Sequence, residues 1–280
     1  MSGIISIEDN FEDIIAKSMR GRHVSETELA EKTGVAPDVL HRLCRGEFCD
    51  ESALAKVAKV AKVLALDPSA LAMSASCVWR PQPVELEGLD LFNTPYRDMR
   101  VNAFLLHDPL SKKAAVFDTG TDTGPILERA GELGLGIESV FLTHTHNDHI
   151  ADLDRLVGAL ENIAVYSNAK EPWPGTETFS AGAEFSIGSL SIKTYTTSGH
   201  SVGGTTYFVE GLARPVAVVG DAIFAGSMGG GIVSFADAWQ SNREKILTLP
   251  ENTILCPGHG PLTSVGEEKR NNPFFAAEFK

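Results

Sequence analysis

The sequence predicts an α/β protein: a sandwich of two sheets with helices outside, preceded by a small all-α domain. Three observations predict it. Up to about Ala75 the apolar residues fall at helical spacing. From about residue 77 the texture changes to short β-rich runs parted by Gly and Pro turns. Helical segments interrupt those runs at intervals, as in a layered α/β fold. With 280 residues, 43% hydrophobic and 22% charged, the chain has ordinary globular composition and room for one large and one small domain. The domains are read as residues 1–76 and 77–280.

In the first domain, "SETELAEKTGV" offers Ser25 as N-cap with Glu28 three residues on, a capping-box pattern, and Gly34 as C-cap. "APDVLHRLCRGE" follows, with Pro37 at a first helical position and Val39, Leu40 and Leu43 on one face. "ESALAKVAKVAKVLAL" places Leu54, Val57, Ala61 and Leu64 at helical spacing. Two short helices about a Gly-containing turn make a helix-turn-helix. Residues 11–73 resemble the lambda-repressor-like helix-turn-helix domain, with "ELAEKTGVAPDVLHRLCRGE" on its two central helices. The resemblance implies DNA contact through residues 25–45, with His41, Arg42 and Arg45 as donors, and a homodimer. Charge opposes the DNA reading: residues 1–76 hold nine Lys and Arg against twelve Asp and Glu, a net of −3, and Asp38 sits where the helix would approach DNA. The competing reading is a fold used for dimerisation or docking.

In the second domain "CVWRPQPVE" reads as linker and first edge, and "MRVNAFLLHD" and "KKAAVFDTG" as a strand pair. "TGPILERAGELG" reads as a helix, "ESVFLTH" as a buried strand, "IADLDRLVGAL" as a helix and "NIAVYSN" as a strand. "LSIKTYTTSGH", "TTYFVEG" and "PVAVVGDAIF" follow as strands, then "FADAWQSNREKILTL" as a helix and "NTILCPGHG" as the last strand.

Bulk properties exclude several classes. No run of eighteen apolar residues exists, so no helical membrane span is expected. "MSGIISIEDNFEDII" lacks a basic start followed by an apolar core, so no signal peptide is expected and the protein is read as cytoplasmic. Cys44, Cys49, Cys77 and Cys256 match no CxxC spacing and read as free thiols. The net charge of −13 argues against general affinity for nucleic acid.

The chemistry concentrates in "FLTHTHNDHIADL". His144, His146 and His149, joined by Asp148, put four potential metal ligands into six residues. A strand ending near Leu142 would aim His144 and His146 the same way, and a helix opening at about Ile150 would present Asp148 and His149 to a second ion. Imidazole and carboxylate suit zinc, iron or manganese, and the absence of thiolates argues against a closed structural zinc site. Three further ligands fit at later strand ends: His200 in "SGH", Asp221 in "AVVGDAIF" and His259 in "PGHG". A lone carboxylate after four apolar residues is costly unless a cation meets it.

The order "HTHNDH", "SGH", "GDAIF", "PGHG" resembles the metallo-β-lactamase superfamily over residues 80–280. The tail "ILCPGHGPLTSVGEEKRNNPF", with "FAGS", resembles the short glyoxalase-II-type hydrolases that lack an extra C-terminal helical domain. The resemblance implies an αββα sandwich with a dinuclear site at one edge. One ion would take His144, His146 and His200, the other Asp148, His149 and His259, with Asp221 bridging. The ions would be two divalent metals, zinc first, with iron or manganese as alternatives. "VFDTG" matches a strand-end motif of the superfamily, which makes Asp118 a residue that orients ligands; its alternative role is to cap the turn into Thr119 and Gly120. The implied activity is hydrolysis of a small-molecule acyl thioester or related ester by metal-activated water, with Asp148 assisting proton movement. The alternatives are a mononuclear-iron persulfide dioxygenase and a helix-turn-helix regulator whose metal domain senses a ligand. Phe224, three residues after Asp221 where acyl-homoserine lactonases have Tyr, weakens a lactonase reading.

Overall fold

The computed structural model describes residues 5–47, 51–160 and 162–280, the side chains of 51 and 52 excepted. Of the four cysteines, Cys49 lies outside these residues, and Cys44, Cys77 and Cys256 are free thiols. Five helices open the chain: α1 (Phe11–Arg22), α2 (Glu26–Thr33), α3 (Pro37–Leu43), α4 (Glu51–Val63) and α5 (Pro68–Ala75). At α2 the Ser25 hydroxyl accepts from Glu28 N–H while the Glu28 carboxylate accepts from Ser25 N–H. Gly34 stops the helix in the left-handed region, at φ 66°. The run expected to continue from residue 51 to 66 ends earlier, at Val63. Ala65 is left-handed there, and Asp67 accepts from Ala70 N–H at 2.7 Å to start α5. On and after α3, the side chains expected to contact DNA are engaged with acidic groups or one another. His41 lies 3.2 Å from Glu26, Arg42 3.2 Å from Glu47, and Arg45 3.2 Å from His41.

Two six-stranded sheets follow. The first runs β1 (Leu89–Tyr96), β2 (Met99–His107), β3 (Lys113–Phe117), β4 (Gly136–Phe141), β5 (Ala164–Asn168) and β6 (Glu177–Phe179) in spatial order. The second contains β7 (Glu184–Ile187), β8 (Leu190–Thr196), β9 (Thr205–Glu210), β10 (Val216–Gly220), β13 (Ile254–Pro257) and β14 (Thr263–Ser264), ordered β14-β13-β10-β9-β8-β7. A small hairpin, β11 (Ile223–Phe224) with β12 (Ser227–Met228), follows β10. Helices α6 (Gly124–Leu133) and α7 (Leu153–Ala159) serve the first sheet, and α8 (Phe235–Ser241) and α9 (Val265–Asn271) follow the hairpin and β14.

Period-2 alternation builds three layers of core. On β2 and β3, Phe104, Leu106, Ala115 and Phe117 face the second sheet, where Tyr207, Val216, Val218 and Ile254 meet them. Ala103, Leu105, Ala114 and Val116 face the opposite way, toward Ile126, Leu153 and Leu156 of α6 and α7. On the second sheet, Phe208, Ala217, Val219 and Leu255 join one continuous buried cluster with Ile14, Ile15, Val57, Leu64 and Leu71 of the N-terminal helices. The helical unit is thus packed onto the outer layer of the sandwich. Gly21 of α1 allows this approach, since a Cβ there would lie 2.1 Å from the Phe235 ring.

Several expected elements differ. The edge strand is β1 at Leu89–Tyr96, not "CVWRPQPVE"; Pro81 and Pro83 have no N–H to offer a ladder there. The helix expected from Ile150 starts at Leu153. "PVAVVGDAIF" is not one strand: Gly220 takes φ 51°, breaking β10 from β11 at Asp221. "FADAWQSNREKILTL" is α-helical only to Ser241 and then π-helical over Asn242–Ile246. There Asn242 Nδ2 donates to the carbonyls of Ala222 and Ala238, at 2.7 and 3.1 Å, binding the helix to the chain beside Asp221.

β3, β4 and β5 are parallel, as are β10 and β13, and β8 runs with β10 across antiparallel β9. Their carboxyl ends therefore gather at one edge of the sandwich. No helix among the described residues is long and apolar enough to cross a membrane.

Candidate metal centre

All seven side chains read as ligands arrive at that edge. Because β4 ends at Phe141, His144 and His146 project from the loop after it, not from alternating strand positions. His146 Nδ1 lies 3.1 Å from His144 Nε2 and 3.0 Å from His200 Nε2. His259 Nε2 lies 3.2 Å from Asp148 Oδ2, and His149 Nε2 is 3.6 Å from the same oxygen. Asp221 stands between the two sets. Its Oδ2 is 3.3 Å from His200 Nε2 and 3.4 Å from His259 Nε2, and its Oδ1 is 3.4 Å from His149 Nε2. Three overlapping groups result, each with donor atoms within 4.8 Å of one another: His144–His146–His200, His144–His149–Asp221 and Asp148–His149–His259.

The outward nitrogens are fixed by partners, which leaves the inward ones as acceptors. His149 Nδ1 donates to Asp118 Oδ2 at 2.8 Å. His200 Nδ1 donates to the Gly230 carbonyl at 3.0 Å and His259 Nδ1 to the Arg100 carbonyl at 2.6 Å. Thr143 Oγ1 donates to Asp118 at 2.7 Å and so can accept from His144 Nδ1 at 3.0 Å. Asp118 also accepts from Thr143 N–H at 2.8 Å. This carboxylate thus serves Thr143 and His149, with its own backbone held left-handed at φ 55°.

The site demands positive charge. Asp221 and His149 are buried, and Asp221 Oδ1 and His149 Nε2 have no hydrogen-bond partner among the described residues. Burial pushes the Asp221 carboxyl up, but His259 and His149 outweigh it and hold the pKa well below the usual range. Burial pushes His149 and His259 down, but carboxylates led by Asp221 carry them to about 10 and about 11. His144, shut away from solvent and beside His149, is driven down. Divalent cations would satisfy these carboxylates and let every imidazole act as a neutral ligand. The cradle is tight as well: a Cβ on Gly258 would lie 2.2 Å from Asp221 Oδ1 and 2.5 Å from His149 Cε1.

Two contributors carry little sequence signal. Glu171 follows β5, and its Oε1 accepts from Thr145 N–H at 2.8 Å and Thr145 Oγ1 at 2.9 Å. Its Oε2 accepts from Gly203 N–H at 2.8 Å. It joins the His144–His146 loop to the loop after His200. Asn102, fully buried in β2, donates from Nδ2 to the carbonyls of Pro257 and Gly260, each at 2.8 Å, and holds the turn bearing His259. A buried amide in an apolar strand was the one available hint.

The chain matches the model of the metallo-beta-lactamase superfamily over residues 96–259. It is 32% identical over 207 residues to "Probable metallo-hydrolase YqgX" of Bacillus subtilis (strain 168), covering 64% of this chain and 94% of that protein. It is 28% identical over 155 residues to "Hydroxyacylglutathione hydrolase" of Citrobacter koseri, covering 52% of this chain and 57% of that protein. Among solved structures, ETHE1 from Myxococcus xanthus superposes with a TM-score of 0.57 at 25% identity, covering 66% of this chain and 83% of that one. With this match across more than half its length and the histidine and aspartate groups gathered at one sandwich edge, the chain belongs to the metallo-beta-lactamase superfamily.

Proposed function

We propose that the protein is a metal-dependent hydrolase that cleaves an acyl thioester or related acyl ester, in the manner of glyoxalase II. The observation that carries this reading is Asp221, a buried carboxylate whose Oδ2 lies at 3.3–3.4 Å from one histidine of each triad. His144, His146 and His200 would hold one divalent ion and Asp148, His149 and His259 the other, zinc being the first candidate. Bound there, two such ions would acidify water and polarise the acyl carbonyl. The protein's own groups orient and move protons. Asp118 and Thr143 set the tautomers of His149 and His144. Asp148, less buried than Asp221, is placed to pass the proton of the attacking water to the departing thiolate. The carbon–sulfur bond breaks as the water oxygen joins the acyl carbon.

The likeness to ETHE1 supports a second reading, a mononuclear-iron persulfide dioxygenase. Metal content per chain, measured alongside hydrolysis of S-D-lactoylglutathione, separates the two. Two metals per chain with thioester turnover are expected; one iron, no hydrolysis and oxygen uptake with glutathione persulfide would replace the hydrolase reading. Asp221→Ala is expected to lose metal and turnover together, and a variant with full metal content and an unchanged rate would sink the bridging role.

A further inference from the structure

The curated relative from Bacillus subtilis covers 64% of this chain with 94% of its own length, and the family model begins only at residue 96. The start of the chain nonetheless comes against the residue after His259 and the hairpin after Asp221. The backbone of Glu8 passes over Gly260, the residue after His259: a Cβ on Gly260 would lie 3.2 Å from Glu8 N and 3.5 Å from Glu8 Cβ. Asp9 accepts from the Ser227 hydroxyl at 2.6 Å and is ion-paired with Lys17. Lys17 Nζ also donates to the Met228 carbonyl at 2.9 Å and stands 4.9 Å from the Phe224 ring centroid. Phe224 in turn meets His259 edge-on at 5.8 Å. The start of the chain is therefore latched to the β11–β12 hairpin that follows Asp221. Burial raises the half-buried Glu8 carboxyl above its usual value, with His259 and Lys17 pulling it back down and Asp9 and Asp221 adding to the rise.

A groove of about 1330 Å³ opens from this contact. Glu8 and Gly260 line it together with Arg100, whose carbonyl binds His259 Nδ1. It continues along residues 80–87 to β1. Ile7, Val84, Leu86, Leu91 and Leu262 contribute apolar lining, and its carboxylates outnumber its guanidinium groups by five to three. One of those guanidinium groups, Arg129, is already paired with Asp90 at 3.0 Å. The groove thus mixes apolar and charged lining and is net acidic; none of the seven ligand side chains lines it, and Gly260 and Arg100 are where it adjoins His259.

We propose that segment Ile5–Glu8, latched to the hairpin by Asp9 and Lys17, forms one wall of the substrate pocket, and that Glu8 selects thioesters whose leaving thiol is cationic or uncharged over those whose thiol carries carboxylates. This deepens the hydrolase reading above and rests on it for the word thioester. The wall also gives the helical unit a role in the pocket that relatives lacking it cannot share.

The test uses two thiols of similar size and opposite charge, thiocholine and 3-mercaptopropionate, bound to the cobalt-substituted full-length protein and followed by thiolate-to-cobalt absorbance. Wild type is expected to bind thiocholine about tenfold more tightly, the scale of one unit charge roughly 10 Å away at an effective dielectric near 20. Glu8→Gln should reduce the ratio to near one, and Glu8→Lys should invert it, with cobalt content retained in both. A ratio near one in wild type, or a wild-type ratio unchanged in both variants, overturns the wall. Acetylthiocholine and S-acetyl-3-mercaptopropionate then report on catalysis. If thiol binding follows the expected order but neither ester is hydrolysed, the thioesterase reading fails and the wall stands. Hydrolysis of both esters with equal KM in wild type and Glu8→Gln keeps the hydrolase and removes the wall.

Discussion

At the scale of single residues, the metal centre depends on side chains that never face a ligand position. Glu171 is the strongest example, since three of its hydrogen bonds join the loops bearing His146 and His200. Glu171→Ala should weaken metal affinity by about 10- to 100-fold, the usual effect of removing a partner that orients ligands. Glu171→Gln should lose less, because its amide oxygen can keep both Thr145 bonds while its NH₂ faces Gly203 N–H. Competition against a chromophoric chelator measures this; unchanged affinity in the alanine variant would show that the loops hold themselves. The candidate ligands were legible because imidazoles are scarce and three fall within six residues. Glu171 was not, because a Glu in "NAKEPW" looks like any surface carboxylate until folding brings Gly203, thirty-two positions away, against it.

At the scale of elements, the β11–β12 hairpin connects the metal centre to the C-terminal helix. Glu268 of α9 is fully buried. Its Oε2 accepts from Gly226 N–H at 3.0 Å and Asn272 Nδ2 at 2.7 Å, and its Oε1 accepts from Thr263 Oγ1 at 2.7 Å. Burial raises its pKa from 4.5 to about 7, against the lowering pull of those hydrogen bonds. A carboxyl with a raised folded pKa binds more protons folded than unfolded. Its neutral form therefore supports the fold fully below pH 4.5, and that support erodes as pH rises through about 7. The loss is on the order of 3 kcal/mol. Glu268→Gln is expected to flatten this part of the profile, since an amide NH₂ can donate to Thr263 Oγ1 as the protonated acid does. Between pH 5 and pH 8 the melting temperature of wild type should fall by several degrees more than that of the variant. Parallel profiles would remove the buried charge as the cause. The hairpin escaped the sequence reading because two-residue strands carry no periodicity. The break at Gly220 escaped because an apolar run with one glycine reads as a continuous strand.

At the scale of the molecule, the helices of residues 11–75 and the second sheet share one buried cluster, and backbone and ionic bonds tie the helices to the C-terminal segment. Asp67 N–H donates to the Pro273 carbonyl at 2.7 Å, and Lys280 pairs with Asp67 at 2.7 Å. Residues 77–280 expressed alone should therefore expose apolar surface around Phe235, Phe274 and Phe275. The expected result is a lower melting temperature, increased binding of a hydrophobic dye and a tendency to aggregate; a soluble fragment melting like the full chain would make the helices an independent module.

By itself the sequence determined the layer architecture, most strand and helix positions and the seven candidate ligands that the fold gathers at one edge, because hydrophobic periodicity and clustered donors are local properties of the chain. Only the tertiary structure decided that Glu171 joins the loops bearing His146 and His200, that Asn102 holds the turn bearing His259, and that the N-terminal segment lies against Gly260 beside His259. These depend on contacts between residues far apart in the chain, and no local pattern encodes which distant strand end or helix will arrive beside another.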